Sequence, residues 1–174
     1  MRMSLPLVLL ALAPAVPGPA RAQDAAMKSI APLQETVKEY LIASAEQMPE
    51  ELYSYRPTDE VRTFGQIIGH VANTQYRYCG AAMGEGGQAP ENFEERTTKA
   101  GLVEALKMGL EACDAAYAMD DAKAVEEVQF GRATRTRLWV LISNLTHNWE
   151  HYGNLVVYFR ANGMVPPSSQ GGGM

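Results

Sequence analysis

Apolar residues recur along this chain at steps of three, four and seven, the period of one helix face, and no strand-type alternation persists. Over 24–48 the pattern runs through Met27, Ile30, Leu33, Val37, Tyr40, Leu41 and Met48 and predicts a first helix. Pro32 suits a first turn better than an interior, so regular helix is expected from about Ser29. After the turn-rich stretch 49–62, Thr63-Phe64-Gly65-Gln66 reads as a capping box, with Thr63 capping and Gln66 reaching back, and it opens a second helix over 64–83. Gly84, Gly86, Gly87 and Pro90 mark 84–97 as a loop. Leu102, Leu106, Leu110, Cys113 and Tyr117 carry a third helix over 98–119. The stretch 120–135 reads as an irregular connection holding a short helical turn near 122–128. A fourth helix over 136–161 ends at Asn162-Gly163, and Pro166-Pro167 bars its continuation. The expected fold is all-α, a four-helix bundle over 23–167 followed by a flexible tail over 168–174.

Length and charge narrow the function. A chain of 174 residues, 47% hydrophobic, can bury one sizeable core but not two ordinary ones. Its 15 basic and 20 acidic residues give a net charge of -5, which argues against a partner bound by neutralising many phosphates, so nucleic acid is not expected. Residues 1–22 read as a signal peptide: Arg2 supplies a positive start, an apolar run from Leu5 to Ala13 is broken only by Pro6, and Ala20-Arg21-Ala22 offers small residues for cleavage before Gln23. The apolar run is about half the ~20 residues of a spanning helix, and Pro14, Pro17 and Pro19 follow it, so no stable membrane insertion is expected after cleavage. No cysteine adjoins the cut, which leaves lipidated export unsupported. The mature chain, more acidic still without Arg2 and Arg21, is expected in the periplasm or outside the cell.

The chemistry concentrates in three histidines. His147 and His151 lie at i and i+4, on one helix face with Cβ atoms ~6 Å apart, so both rings can reach one ion. At about 100° per residue, His70 shares a stripe of the second helix with Thr63, Gln66, Asn73, Thr74 and Arg77, while Phe64, Ile68, Val71 and Cys79 point elsewhere. Asn144, His147, His151, Asn154 and Tyr158 form the matching stripe of the fourth helix, opposite Leu138, Leu141, Leu145, Trp149, Tyr152 and Val156. A buried polar seam is costly unless hydrogen bonds or an ion satisfy it. Spacing alone leaves both readings open: histidines bonded to Asn or Glu, or a three-nitrogen site for Zn(II), Ni(II), Fe(II) or Cu(II) with positions free for water or substrate. His147-Asn148-Trp149-Glu150-His151 also fits the inverted zinc-protease pattern H-x-x-E-H, but that chemistry needs a further carboxylate ligand downstream, and no Asp or Glu follows Glu150. Glu150 and Tyr158 are the candidate catalytic residues, and Asn144, Asn154 and Gln66 could orient the imidazoles. Arg135 and Arg137 could take an anion or stand solvated.

These residues resemble the DinB-like (damage-inducible, YfiT-like) superfamily, which is distinct from the DNA polymerase sharing part of its name. The resemblance rests on Phe64-Gly65-Gln66-Ile67-Ile68-Gly69-His70-Val71-Ala72, on His147-Asn148-Trp149-Glu150-His151-Tyr152-Gly153, and on Tyr158-Phe159-Arg160-Ala161-Asn162-Gly163-Met164-Val165-Pro166-Pro167. It implies an up-down-down-up bundle, a divalent metal, zinc or nickel first, on His70, His147 and His151, and frequently a homodimer. Characterised relatives include transferases and isomerases that use low-molecular-weight thiols. A reduced thiol is hard to supply outside the cytoplasm, so for an exported member the expectation falls on the metal. The functional expectation is a metal-dependent enzyme, transferase or hydrolase, acting on an unidentified small molecule. The alternative is a non-catalytic, dimerising metal- or ligand-binding bundle.

The two cysteines bear separately on topology. In an exported protein pairing is the natural hypothesis, with two inert core thiols as the other reading. Cys79 and Cys113 fall at similar depths into their helices, so parallel second and third helices bring them to within ~1.5 Å in height. An antiparallel hairpin leaves a mismatch of ~15 Å that no disulfide bridges. The intervening loop can stretch ~40 Å, enough to return along a helix of ~30 Å.

Overall fold

The computed structural model describes residues 25–171. Its frame is four helices: α1 (Ala25–Gln47), α2 (Phe64–Met83), α3 (Lys99–Glu111) and, after two short helices and a hairpin, α6 (Arg137–Ala161). None of the described helices is long and apolar enough to cross a membrane. The expected signal peptide lies outside the described residues.

Each helix direction follows from the contacts its residues make. Phe64 meets Phe159, His70 meets His147, and Arg137 donates to the Ala82 carbonyl, so α2 and α6 are antiparallel. Leu102 lies against Gly65, Gly109 against Ala72, and Cys113 against Cys79, so α2 and α3 are parallel. Gln34 contacts Asn148 and Tyr40 stacks on Tyr152, making α1 parallel to α6. Lys107 pairs with Glu46 and Lys38 with Asp114, so α1 runs antiparallel to α3. The core between them holds Leu41, Phe64, Ile68, Leu106, Leu155 and Phe159, all fully buried. Burial of such side chains stabilises the fold by roughly 1.5–3 kcal/mol each.

Several boundaries depart from the sequence reading, each for a tertiary reason. Helix α1 starts at Ala25, leaving Pro32 inside it, because Asp121 accepts hydrogen bonds from the backbone N–H groups of Ala26 (3.0 Å) and Met27 (2.8 Å). A carboxylate from across the bundle thus satisfies backbone donors in the first turn of the helix. The third helix does not continue to 119. It stops at Glu111, and the chain turns at Cys113 into α4 (Asp114–Tyr117), where the Tyr117 hydroxyl reaches the Leu141 carbonyl and Asn144. The connection 120–135 contains α5 (Asp121–Ala124), capped by Asp120, and an antiparallel hairpin of β1 (Glu127–Phe130) and β2 (Ala133–Thr136). Four-residue strands are too short for alternation to be visible in the sequence. What holds the hairpin is its ladder, Gly131 at φ 62° in the turn, and Phe130 stacked on Tyr78. Helix α2, by contrast, opens with both halves of the Thr63–Gln66 capping box in place.

Cys79 and Cys113 lie at disulfide distance, with Cα atoms 5.2 Å apart. At the chain end, residues Pro167–Ser169 form a 3-10 turn in which the Ser168 N–H donates to the Tyr152 hydroxyl.

Candidate metal centre

Helices α2 and α6 bring the three histidines together at mid-height. His70 Nε2 lies 3.2 Å from His147 Nε2, which lies 3.0 Å from His151 Nε2, and the three ligand nitrogens all fall within 4.8 Å of one another. Two nitrogens bound at about 2.0–2.1 Å to a tetrahedral zinc sit roughly 3.3 Å apart, so the spacing fits a shared cation.

Protonation favours the same reading. His70 Nδ1 is 2.8 Å from Glu94 Oε1, and an ionised carboxylate only accepts, so Nδ1 carries a proton and Nε2 is the ring nitrogen turned toward His147. Burial, then the neighbouring charges of His151 and His70, push His147 down to about 3. Burial, then His70 and Arg62, push His151 down to about 4. Both rings are therefore neutral at physiological pH, the form a metal needs. Three ring nitrogens turned on one point cannot all be satisfied among themselves, whereas a cation accepts lone pairs from all three.

Support behind the rings is graded. His70 has Glu94, a carboxylate–histidine pair of the type that fixes a ligand's tautomer and orientation. Burial raises the Glu94 carboxyl, but hydrogen bonds from His70 and from Arg62 Nε (3.1 Å) outweigh it and hold it below the usual range. His147 Nδ1 has only Thr74 Oγ1, at 3.5 Å. His151 Nδ1 is buried without a hydrogen-bond partner among the described residues.

Glu94 and Arg62 were not read from the sequence as parts of the site. Glu94 arrives on a 3-10 turn, Phe93–Glu95, capped by Asn92 and held by Asn73, whose Oδ1 accepts from the Phe93 N–H at 3.0 Å. The turn can approach α2 this closely because residue 69 is glycine: a Cβ there would sit 2.5 Å from the Phe93 carbonyl oxygen. The only sequence signal was Asn73 on the His70 stripe, which points outward to something polar without saying what.

The other candidates are distributed differently. Glu150 and Asn154 are exposed and line a cleft of about 680 Å³ that opens on His151, together with Arg62, Val61, Ile67 and Val157. Tyr158 also lines it and donates its hydroxyl to the Arg62 carbonyl, while burial and Tyr55 push its pKa up. Gln66 is used by the capping box. Asn144 belongs to a second, fully buried cluster with Gln75, Asn148, Gln34 and Tyr117. Arg137 pairs with Glu126 and Arg135 stacks on Trp139, so both serve the hairpin junction.

Comparison with known proteins supplies an independent line. Residues 33–155 match the sequence pattern of the DinB superfamily. A crystal structure of a DinB-like protein from Bacillus cereus superposes with a TM-score of 0.64 at 14% identity, covering 82% of this chain and 93% of the other. No curated protein matches the chain.

Proposed function

This chain belongs to the DinB superfamily, and from that premise we propose that it is an exported, metal-dependent enzyme holding one divalent cation, zinc or nickel, on His70, His147 and His151. The observation that carries the reading is the convergence of three Nε2 atoms at 3.0 and 3.2 Å, with the His147 and His151 rings kept neutral by burial. A bound cation would supply Lewis acidity to a water or carbonyl oxygen presented from the cleft. The protein's own residues do the rest. Glu94 fixes His70 and pairs with Arg62, and Tyr158 holds the Arg62 backbone. Glu150, exposed on the cleft wall, is placed to accept a proton from whatever binds there. The reaction class that fits is transfer to, or hydrolysis of, a small molecule.

Export rests on the charge and apolar pattern of residues 1–22, and mass spectrometry of the mature protein is expected to find Gln23 at its start. Trp139 and Ile142, exposed apolar residues of α6, support a homodimer through that helix, to be read by light scattering. The deciding experiment is elemental analysis of protein purified without chelator. One metal per chain, lost in His147→Ala, is the expected result. A metal-free protein that gains none on adding Zn(II) or Ni(II) would sink the enzyme reading and leave a ligand-binding bundle.

A further inference from the structure

The cleft on His151 is built with one strong hydrogen-bonding cation at its edge. Arg62 spends Nε on Glu94 Oε2 and its backbone carbonyl on Tyr158, while its two terminal nitrogens have no partner among the described residues. The half-exposed guanidinium is thus tethered through Nε with its two terminal nitrogens unused, and its field reaches both His147 and His151. Beyond it the cleft is mixed: Pro57, Val61, Ile67 and Val157 give it an apolar strip, and His151, Asn154 and Tyr158 are its neutral polar members. Two other carboxylates touch the lining. Glu60 is bonded to Thr58 and lies near Arg56, whose ion pair is with Asp59, and Glu150 stands exposed on the wall.

We propose that this cleft takes a small monocarboxylate with a short apolar body, its carboxylate held by the terminal nitrogens of Arg62 and its carbon chain lying against Val61, Ile67 and Val157. The proposal rests on the reading that the cleft is the substrate side of the histidine cluster. A tethered guanidinium with two free nitrogens matches a carboxylate bidentately, a geometry that a primary amide or an ammonium group does not reproduce. The apolar strip supplies affinity through buried surface. Glu150 works against any anion, which makes a cationic probe the decisive control.

The test is titration of the protein, as isolated with its own metal content, with butyrate, butyramide and n-butylamine, followed by amide chemical shifts. Butyrate is expected to shift residues 60–62, 151 and 154–158 saturably, with the other two about tenfold weaker or more. Arg62→Ala is expected to lose about tenfold or more of butyrate affinity while keeping its metal and its helical circular dichroism. Arg62→Lys, which keeps the charge and loses the fork, is expected to fall between. Equal binding of n-butylamine, or unchanged butyrate affinity in folded Arg62→Ala, overturns the proposal, as does loss of metal in that variant, which would make Arg62 a support of the histidines. If the wild type holds no metal and gains none on adding Zn(II) or Ni(II), yet binds butyrate through Arg62, the metal reading fails and this one stands.

Discussion

Helices α2 and α6 carry two polar clusters between them, and they solve the same problem in opposite ways. In the amide cluster, Gln75 Nε2 donates to the Val71 carbonyl (3.1 Å) and to Asn148 Oδ1 (2.7 Å). Asn148 Nδ2 donates to Gln34 Oε1 (3.1 Å), and Asn144 Nδ2 to Gln75 Oε1 (3.1 Å). Because one end is pinned to a backbone carbonyl, every amide orientation follows along the ladder, and only Gln34 Nε2 is left over. The histidine cluster stands on neighbouring turns of the same helices, His147 beside Asn148, yet it turns like atoms on one another and opens to a cleft. One polar seam is closed by the protein and is structural. The other turns three ligand nitrogens on one point beside a cleft, an arrangement that could hold a cation.

The contrast can be broken by experiment. The largest effect is expected from His147→Ala, since His147 Nε2 contacts both other rings: metal affinity should fall at least a hundredfold while the melting temperature of the metal-free protein stays within a few degrees. A collapse of the metal-free fold would show that the histidines are structural after all. Asn148→Ala should invert that pattern, removing about 2–4 kcal/mol of stability by taking the partner of Gln34 Oε1 and one acceptor of Gln75 Nε2 out of the core, with metal stoichiometry intact under folding conditions. Denaturant melts compare the two directly.

Glu94→Gln lies between them. It keeps the shape of the side chain and removes the charge behind His70, so metal affinity should drop by about 10–100-fold, with little change in melting temperature. Competition against a chromophoric chelator measures it. An unchanged affinity would mean that Arg62, not His70, is the partner Glu94 serves.

The smallest effect is on pH dependence. His147 and His151 are pushed down to about 3 and 4 by burial, whereas in the unfolded chain both take up protons near 6.5. Below that value the unfolded state binds more protons than the native one, so the stability of the metal-free protein should decline as pH falls from 6.5 toward 4. Glu94 and Asp121, also lowered, add their losses only at more acidic pH. A melting temperature that is flat between pH 7 and 5 would contradict neutral buried rings.

How much of this was readable in the sequence follows from how local each cause is. The Thr63–Gln66 cap and the i, i+4 histidines are written within one helical turn, and both appear in the structure as read. The parallel approach of α2 and α3 was legible in the equal depths of Cys79 and Cys113. The helical turn ahead of Pro32 was not, because Asp121, nearly a hundred residues away, accepts from its backbone N–H groups. The hairpin escaped because four residues per strand cannot establish a period. Glu94 escaped because its partner lies 24 residues distant and the contact depends on a turn shaped by Asn73 and Gly69.

Gly69 reacts with nothing and binds nothing, and a survey of the chain by chemical reactivity would pass over it. Yet any heavier atom there would collide with the Phe93 carbonyl and push residues 92–95 outward, carrying the Glu94 carboxylate off His70 and Arg62 with them. A methyl group at residue 69 would thus act as a remote lesion of the histidine centre and of the cleft edge together, leaving every candidate ligand in the sequence untouched.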